Sequence, residues 1–270
     1  MWREATRSTW KDLRGWPFWL LLAWLVNLLA MPITGLIWGP RVLYPTISLN
    51  VLLQATLSVA LFSRGRKAWR TVLAVAIVLV LSWAIEAVGS ATGVPFGAYS
   101  YTDRLQPQVA HVPLLIPAAW MMMLPPAWAV GRRLSGGRSK PAFILLSGLA
   151  FAAWDLFLDP QMVQWELWVW EQPGGYFGIP WINFGGWFLG AALITAVTVV
   201  LPVGQMPAGT SAARQAGDRS LMLVYALTWI LEACGLLVFW GLPGPALGGF
   251  VGMGVFAVLA WRSRLVKPRR

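Results

Sequence analysis

Residues 15–40, GWPFWLLLAWLVNLLAMPITGLIWGP, carry no charged side chain and decide the class of the fold. A helix needs about 20 mainly apolar residues to cross the hydrocarbon core of a bilayer. Other stretches without Asp, Glu, Lys or Arg also satisfy this length: 42–63, 105–131, 172–213 and 233–261. We therefore predict an all-α, polytopic integral membrane helical bundle.

The composition of the 270-residue chain agrees with this prediction, because 58% of the residues are hydrophobic and 11% are charged. An average soluble domain is about 25% charged. The chain has one histidine, His111, and one cysteine, Cys234. These counts exclude multi-histidine di-iron sites, bis-histidine haem and cysteine-cluster metal sites. We therefore expect no metal and no other cofactor.

Eight helices are predicted: residues 16–38, 43–62, 69–92, 112–131, 141–162, 181–203, 220–240 and 244–261. If they alternate in direction, all of the 21 Lys and Arg residues except Arg41 and Arg104 fall on one side of the membrane. The positive-inside rule then places both termini of this cell-membrane protein in the cytoplasm. The first apolar run is too long for a cleavable signal. We interpret the net charge of +11 as loop charge and expect no nucleic-acid partner.

The connecting segments are too short for a soluble domain, so residues 1–270 are interpreted as a single integral membrane domain. Residues 204–219 are rich in Gly, Ala and Ser and are predicted to be a mobile linker. Residues 95–108 and 164–180 are rich in Gly, Pro, Tyr and Trp. We predict that these two segments form ordered caps on the outer side.

A short internal similarity links the third and seventh predicted helices. Residues 83–89, WAIEAVG, match residues 229–235, WILEACG. Because both helices would run in the same direction, the match is compatible with a weak 4+4 parallel repeat about the membrane normal. A chance match remains the alternative.

Four acidic residues lie inside predicted helices: Glu86, Asp155, Asp159 and Glu232. An ionised carboxylate at the middle of a bilayer costs about 2.5–3.5 kcal/mol, and few bases are available there as partners. Carboxyl groups in such surroundings are expected to hold a proton near neutral pH. The sequence therefore predicts proton donors inside the membrane.

Asp155 and Asp159 are spaced i,i+4 and therefore share one helix face, and Pro160 is expected to end that turn. Asn183 and Trp187 open the sixth predicted helix at the same level. Glu86 lies in the outer half of the third predicted helix, and further polar groups are on the adjoining outer segments: Tyr99, Tyr101, Asp103, His111 and Tyr176. We predict that polar groups from at least three helices converge beneath an aromatic cap.

Each of these residues also has a purely structural interpretation. Glu86 and Glu232 are able to hydrogen-bond between helices, and Asp159 is able to contact interfacial water. His111 is expected to lie at the interface without a chemical role. The tryptophans as a class are expected to form the interfacial belt and to pack between helices.

Three stretches resemble a known family: residues 86–101, EAVGSATGVPFGAYSY; residues 154–160, WDLFLDP; and residues 175–187, GYFGIPWINFGGW. They resemble the membrane carotenoid-biosynthesis proteins of the CruF type, the carotenoid hydratases, over about residues 80–190. The resemblance implies addition of water across the C1=C2 double bond of an acyclic carotenoid end, giving a tertiary alcohol. Such a redox-independent lyase acts on a carotenoid and water within the bilayer, with other pathway enzymes as candidate partners.

The chemistry of hydration assigns roles to the buried residues. Adding water to a trisubstituted alkene needs an acid, a dry aromatic pocket for the tertiary cation and a held water molecule. We take Asp155 as the proton donor, and Asp159 or Glu86 as the group that orients water and accepts its proton. The remaining candidates bind water or face the cation: Asn183, Tyr99 and Tyr101 for water, and Trp154 and Trp187 for the cation.

Three other functions remain open. A prenyltransferase would use Asp155 and Asp159 to hold Mg²⁺ and diphosphate, but the chain has a single such motif, with no Lys or Arg next to it. An end-group cyclase would share the protonation step without the water. A membrane lipid-binding or transport protein would use the carboxyl groups as proton relays.

Overall fold

The computed structural model describes residues 15–137, 139–201 and 211–263, together with Leu13 and Val203. These described residues form eight helices, as the hydropathy pattern predicted. The helices are α1 (Trp16–Trp38), α2 (Pro40–Ser63), α3 (Ala68–Thr92), α4 (Leu115–Leu134), α5 (Lys140–Gln164), α6 (Trp181–Val200), α7 (Ala212–Val238) and α8 (Pro243–Arg262).

Seven of these helices are long and apolar enough to cross a membrane, and α4 is the exception. Helix α4 packs against α2, α3, α5, α7 and α8, and nearly all of its residues from Ile116 to Gly131 are buried. Because its surface contacts protein, α4 tolerates a less apolar sequence that includes Pro125 and Pro126. The surrounding helices expose apolar side chains such as Leu36 and Val72, as contact with lipid requires.

Helix α5 runs to Gln164, close to its predicted end at residue 162, so the expectation that Pro160 ends the turn carrying Asp155 and Asp159 was wrong. Proline has no backbone N–H and leaves the carbonyl four residues earlier without its helical donor. In α5 this carbonyl belongs to Leu156, and the hydroxyl of Tyr176 donates a hydrogen bond to it at 3.1 Å. The replacement donor lets the helix continue to Gln164, so Asp159 lies within the helix.

Helix α7 begins at Ala212, eight residues before its predicted start. The side chain of Ser211 accepts a hydrogen bond from the backbone N–H of Arg214 at 3.3 Å and caps the first turn. The linker prediction was therefore wrong for residues 212–219, because this N-cap extends the helix. The rest of that prediction, residues 204–210, lies outside the described residues.

Short strands lie in the two segments that were predicted to be ordered caps, and one more, Val112–Pro113, lies at the start of the predicted helix 112–131. Strand β1 (Tyr99–Tyr101) pairs antiparallel with β4 (Trp168–Trp170), and β2 (Gln108–Val109) pairs with β3 (Val112–Pro113). The register places Tyr101 opposite Trp168. We call this end of the bundle, where α3 and α5 end and α4 and α6 begin, the capped end.

Charged side chains meet at the opposite end of the bundle. Arg132 lies 2.8 Å from Asp218, and Arg66 lies 3.8 Å from the same carboxylate. These residues come from the end of α4, the start of α7 and the α2–α3 loop, so basic segments meet as the charge pattern predicted. The side of the membrane that each end faces stays a prediction, as do the single domain and the 4+4 repeat.

Candidate active site

Three carboxyl groups are buried near the capped end. Glu86 of α3 is 2% exposed, and Asp155 and Asp159 of α5 are 0% and 1% exposed. A buried carboxyl group is costly unless it is paired or hydrogen-bonded. Within residues 15–137, 139–201 and 211–263, the ion pairs involve Asp218 and Glu166 instead. Uncharged donors must therefore stabilise the three buried groups.

Asn183 of α6 joins the two aspartates. Its side-chain amide donates to Oδ2 of Asp155 at 2.8 Å and also to Oδ2 of Asp159. Because one amide reaches both side chains, the two carboxyl groups lie close together. Oδ1 of Asp159 accepts a hydrogen bond from the indole of Trp168 at 3.1 Å. Oδ1 of Asp155 is buried and accepts no hydrogen bond from a described donor.

Glu86 is bound by three donors. Its Oε2 accepts from the hydroxyls of Tyr99 at 2.6 Å and Tyr101 at 2.8 Å. Its Oε1 accepts from the indole of Trp120 at 3.0 Å. Because all three neighbours donate, the arrangement fits a carboxylate, which only accepts. The bond from α4 to α3 also confirms the interhelical interpretation of Glu86.

The tyrosines of β1 are fixed as donors. Burial, followed by the nearby charge of Glu86, raises the pKa of Tyr99 and of Tyr101 well above its ordinary value. Both hydroxyls therefore stay protonated. Tyr176, on the other capping segment, has its pKa raised to about 12 by burial, and it donates to the backbone of α5 rather than to the carboxyl groups.

The β1–β4 pair connects the two carboxyl groups on α5 to Glu86. Tyr101, which binds Glu86, lies opposite Trp168, which binds Asp159. Their rings also pack edge to face with centroids 5.7 Å apart. The strand pair therefore holds hydrogen-bond donors for both parts of one acidic cluster.

Aromatic side chains surround Trp187 beside this acidic cluster. The Trp187 ring stacks on Trp120 with centroids 5.0 Å apart and on Phe151 at 5.5 Å. Trp154 meets Trp187 edge-on at 6.0 Å. Aromatic ring faces attract cations, so this group is suited to stabilise a carbocation.

An apolar cleft lies next to the aromatic group. Trp154, Trp187, Tyr101 and Trp168 contribute to its lining. Tyr101, which binds Glu86, and Trp168, which binds Asp159, both line the cleft, whereas these two carboxyl groups do not. The carboxyl groups are therefore one side chain away from a space that suits an apolar ligand.

The structure brings together all the residues that were predicted for the site: Asp155, Asp159, Glu86, Tyr99, Tyr101, Asn183, Trp154 and Trp187. Their chemical roles stay predictions. Asp103 and His111 are exposed and outside the cluster, and Tyr176 supports α5. The interfacial-water interpretation of Asp159 was wrong, because this carboxyl is buried and bound to Trp168.

Glu232 was interpreted as an interhelical hydrogen-bonding residue, and this is wrong for the described part of the chain. Its carboxyl group has no hydrogen bond there and lines the cleft instead. Trp120 and Trp168 were not predicted as site residues, although each donates to a buried carboxyl. Nothing in the sequence separates these two from the other tryptophans, of which the chain has 19 in all.

These features define a multi-pass membrane protein with a buried acidic cluster beside an apolar cleft. Residues 46–256 match the model of a family described as "Carotenoid biosynthesis protein". The chain therefore belongs to the carotenoid biosynthesis protein family, which agrees with the resemblance of the three sequence stretches.

A bisanhydrobacterioruberin hydratase from Haloarcula japonica is 30% identical to this chain over 199 residues. The aligned part covers 72% of this chain and 64% of that relative, so the chain spans less than two thirds of the relative's length. No solved structure matches the chain.

Proposed function

We propose that this protein adds water across the terminal C1=C2 double bond of an acyclic carotenoid end group, giving a tertiary alcohol without a redox step. The observation that carries the proposal is the Asp155–Asn183–Asp159 group, buried beside aromatic residues that line an apolar cleft. The family match and the hydratase activity named for the Haloarcula relative support it.

Asp155 is the proposed acid. It donates its proton to C2, and the electron pair of the double bond forms the new C–H bond, leaving a tertiary cation at C1. Oδ1 of Asp155 accepts no hydrogen bond from a described donor, whereas both oxygens of Asp159 are bonded. Asp155 does not itself line the cleft but is adjacent in sequence to Trp154, which does, so this transfer requires the end of the polyene to reach past the Trp154 side chain.

The cation at C1 forms against aromatic rings. Trp154 and Trp187 line the cleft and pack edge to face, so a cation in that space meets ring surfaces rather than a nucleophile. Cation–π attraction is worth about 2 kcal/mol or more when the site is desolvated.

Water then attacks C1, and the excess proton leaves the new C–O group. Asp159 is the proposed acceptor, because it shares the Asn183 amide with Asp155 and the proton is able to return across the pair. Asn183, Tyr99 and Tyr101 position the water and the carboxyl groups. Glu86 is bound by three donors, so it orients the tyrosines in this scheme.

Hydration is favoured over end-group cyclisation by the polar part of the cleft. A cyclase must keep water away from the cation, yet Asn50, Gln161 and Glu232 line this cleft among apolar side chains. These polar groups admit water close to the aromatic residues. Cyclisation and lipid transport are therefore outcomes of the test rather than parallel proposals.

The test is expression in a host that accumulates an acyclic carotene, followed by mass spectrometry of the pigments. Hydration adds the mass of one water, cyclisation changes retention without changing mass, and transport leaves the pigment unchanged. We expect the hydrated product at one or both ends. Verified expression with no gain of water on any acyclic carotene offered contradicts the proposal.

Both termini are also proposed to be cytoplasmic, which places the acidic cluster in the outer half of the membrane. The support is the sorting of Lys and Arg into the segments at the uncapped end. A reporter that is active on one side of the membrane only, fused after Arg270, tests this orientation. Activity of a periplasmic reporter in that fusion contradicts it.

A further inference from the structure

Three polar side chains line the apolar cleft from three different helices. Asn50 comes from α2, Gln161 from α5 and Glu232 from α7. On α5, Gln161 lies two turns after Trp154, on the stripe that faces the cleft. Asp155 and Asp159 occupy the neighbouring face of the same helix, towards α6.

None of these three side chains has a hydrogen-bond partner in the described part of the chain. Oδ1 of Asn50 is fully buried and unpartnered, and Gln161 is 4% exposed. Most buried polar side-chain atoms in proteins are hydrogen-bonded, and leaving one unpaired costs free energy. A group from outside the protein that occupies the cleft would supply the missing partners.

One helical turn away from the cleft, α2 and α7 are joined directly by a hydrogen bond between polar side chains. Gln54 lies one turn after Asn50 on α2, and Thr228 lies one turn before Glu232 on α7. The amide of Gln54 donates to the hydroxyl of Thr228 at 3.1 Å, and both residues are buried. Polar residues that join α2 to α7 therefore bond each other directly, except where the cleft separates them.

The hydrogen-bonding capacity of Asn50, Gln161 and Glu232 indicates which kind of ligand group they bind. Two amides and a carboxyl group both donate and accept hydrogen bonds when the carboxyl holds a proton, which matches a hydroxyl. The described lining residues include no Lys or Arg, so an anionic group would meet no cation there. The remaining lining is largely apolar, which suits a hydrocarbon chain attached to that hydroxyl.

We propose that Asn50, Gln161 and Glu232 form a subsite that binds a hydroxyl group inside the apolar cleft. The hydroxyl belongs to an alcohol on an acyclic polyene or to the water that adds to it. The polyene part of this inference rests on the proposed function, whereas binding of a hydroxyl rests on the cleft alone.

The test uses the purified full chain in detergent and two acyclic polyenes of equal length, one ending in a tertiary alcohol. Quenching of tryptophan fluorescence gives the Kd of each. We expect the wild type to bind the alcohol about tenfold more tightly, as one or two hydrogen bonds allow. Gln161→Leu and Asn50→Leu should each lower this ratio towards one and leave the Kd of the hydrocarbon unchanged.

Gln164→Leu is the matched control. Gln164 is on the same helix, is exposed and bonds the backbone of Trp240 at 3.0 Å, and it does not line the cleft. This variant should keep the wild-type ratio. Circular dichroism and gel filtration establish that each variant is folded.

A second measurement separates the two sources of the hydroxyl. If the subsite holds water, the Kd ratio is near one in the wild type, and Gln161→Leu lowers the rate of hydration by about tenfold. A ratio and a rate that are both unchanged in folded variants overturn the subsite. A wild type that forms no hydrated product but binds the alcohol selectively overturns the proposed function and leaves the subsite standing. If the wild type neither forms the hydrated product nor binds the alcohol selectively, both the proposed function and the subsite are overturned.

Discussion

The two polar regions near the capped end differ in how their hydrogen bonds are satisfied. In the acidic cluster, Glu86 and Asp159 use both carboxyl oxygens to bind tyrosine, tryptophan and asparagine donors. In the cleft, Asn50, Gln161 and Glu232 have no such partners among the described residues. The protein itself satisfies the first region except at Oδ1 of Asp155, whereas the second region is complementary to a ligand.

This difference indicates that the two regions have different tasks, proton transfer in the acidic cluster and ligand recognition in the cleft. A cluster whose members bond each other is held in one arrangement. A polar surface without internal partners contributes to recognition instead. In the proposed hydratase, the acidic cluster supplies the proton, and the cleft selects the polyene that receives it. Trp154 and Trp187 line the cleft beside the acidic cluster.

The largest expected effect is on catalysis, from Asp155→Asn. The substitution keeps the shape of the side chain but removes the acid, and loss of a general acid lowers rates by about 10²–10⁴-fold. Formation of hydrated product, normalised to the amount of protein in the membrane, measures this. Asp103→Asn, the same change at an exposed position, should retain activity. Normal product formation by Asp155→Asn would show that another group is the acid.

The largest expected effect on stability comes from Asn183→Leu. This variant removes the donor that both aspartates share and leaves their Oδ2 atoms without it. Unsatisfied buried polar groups cost about 1–3 kcal/mol each, so we expect a loss of about 2–4 kcal/mol. The free energy of unfolding in detergent micelles measures it. A loss below about 1 kcal/mol would show that the aspartates do not depend on Asn183.

The acidic cluster could be predicted in part because its signals are local. The charge-free run predicted α1 with its observed bounds, Trp16–Trp38, and the i,i+4 spacing placed Asp155 and Asp159 on one face. The hydrogen bond that replaces the one lost at Pro160 could not be predicted, since its donor, Tyr176, lies outside α5 on the capping segment that follows it.

The cleft was harder to predict because it depends on how α5 is rotated against its neighbours. Trp154 and Asp155 are adjacent in sequence and differ by about 100° around the helix, yet one lines the cleft and the other faces α6. Only packing decides which face meets the ligand. The roles of Trp120 and Trp168 depend in the same way on tertiary contacts to Glu86 and Asp159.

A smaller loss of stability is expected for Trp168→Phe. The ring that packs on Tyr101 is kept, but Oδ1 of Asp159 loses its donor. We expect unfolding to become easier by about 1–2 kcal/mol. Trp170→Phe is the matched control on the same strand, because the buried indole nitrogen of Trp170 has no partner. Equal losses in the two variants would mean that the bond to Asp159 contributes nothing measurable.

The smallest expected effect on stability comes from Asn50→Leu, the same substitution as Asn183→Leu but made in the cleft. No hydrogen bond to a described residue is lost, and an unpartnered buried amide oxygen is replaced by an apolar group. Replacement of an unsatisfied polar group by an apolar one is close to neutral or stabilising. We therefore expect a change within about 0.5 kcal/mol for ligand-free protein in detergent micelles. A loss comparable to that of Asn183→Leu would mean that Asn50 is structural, and the contrast between a self-satisfied cluster and a ligand-facing cleft would not hold.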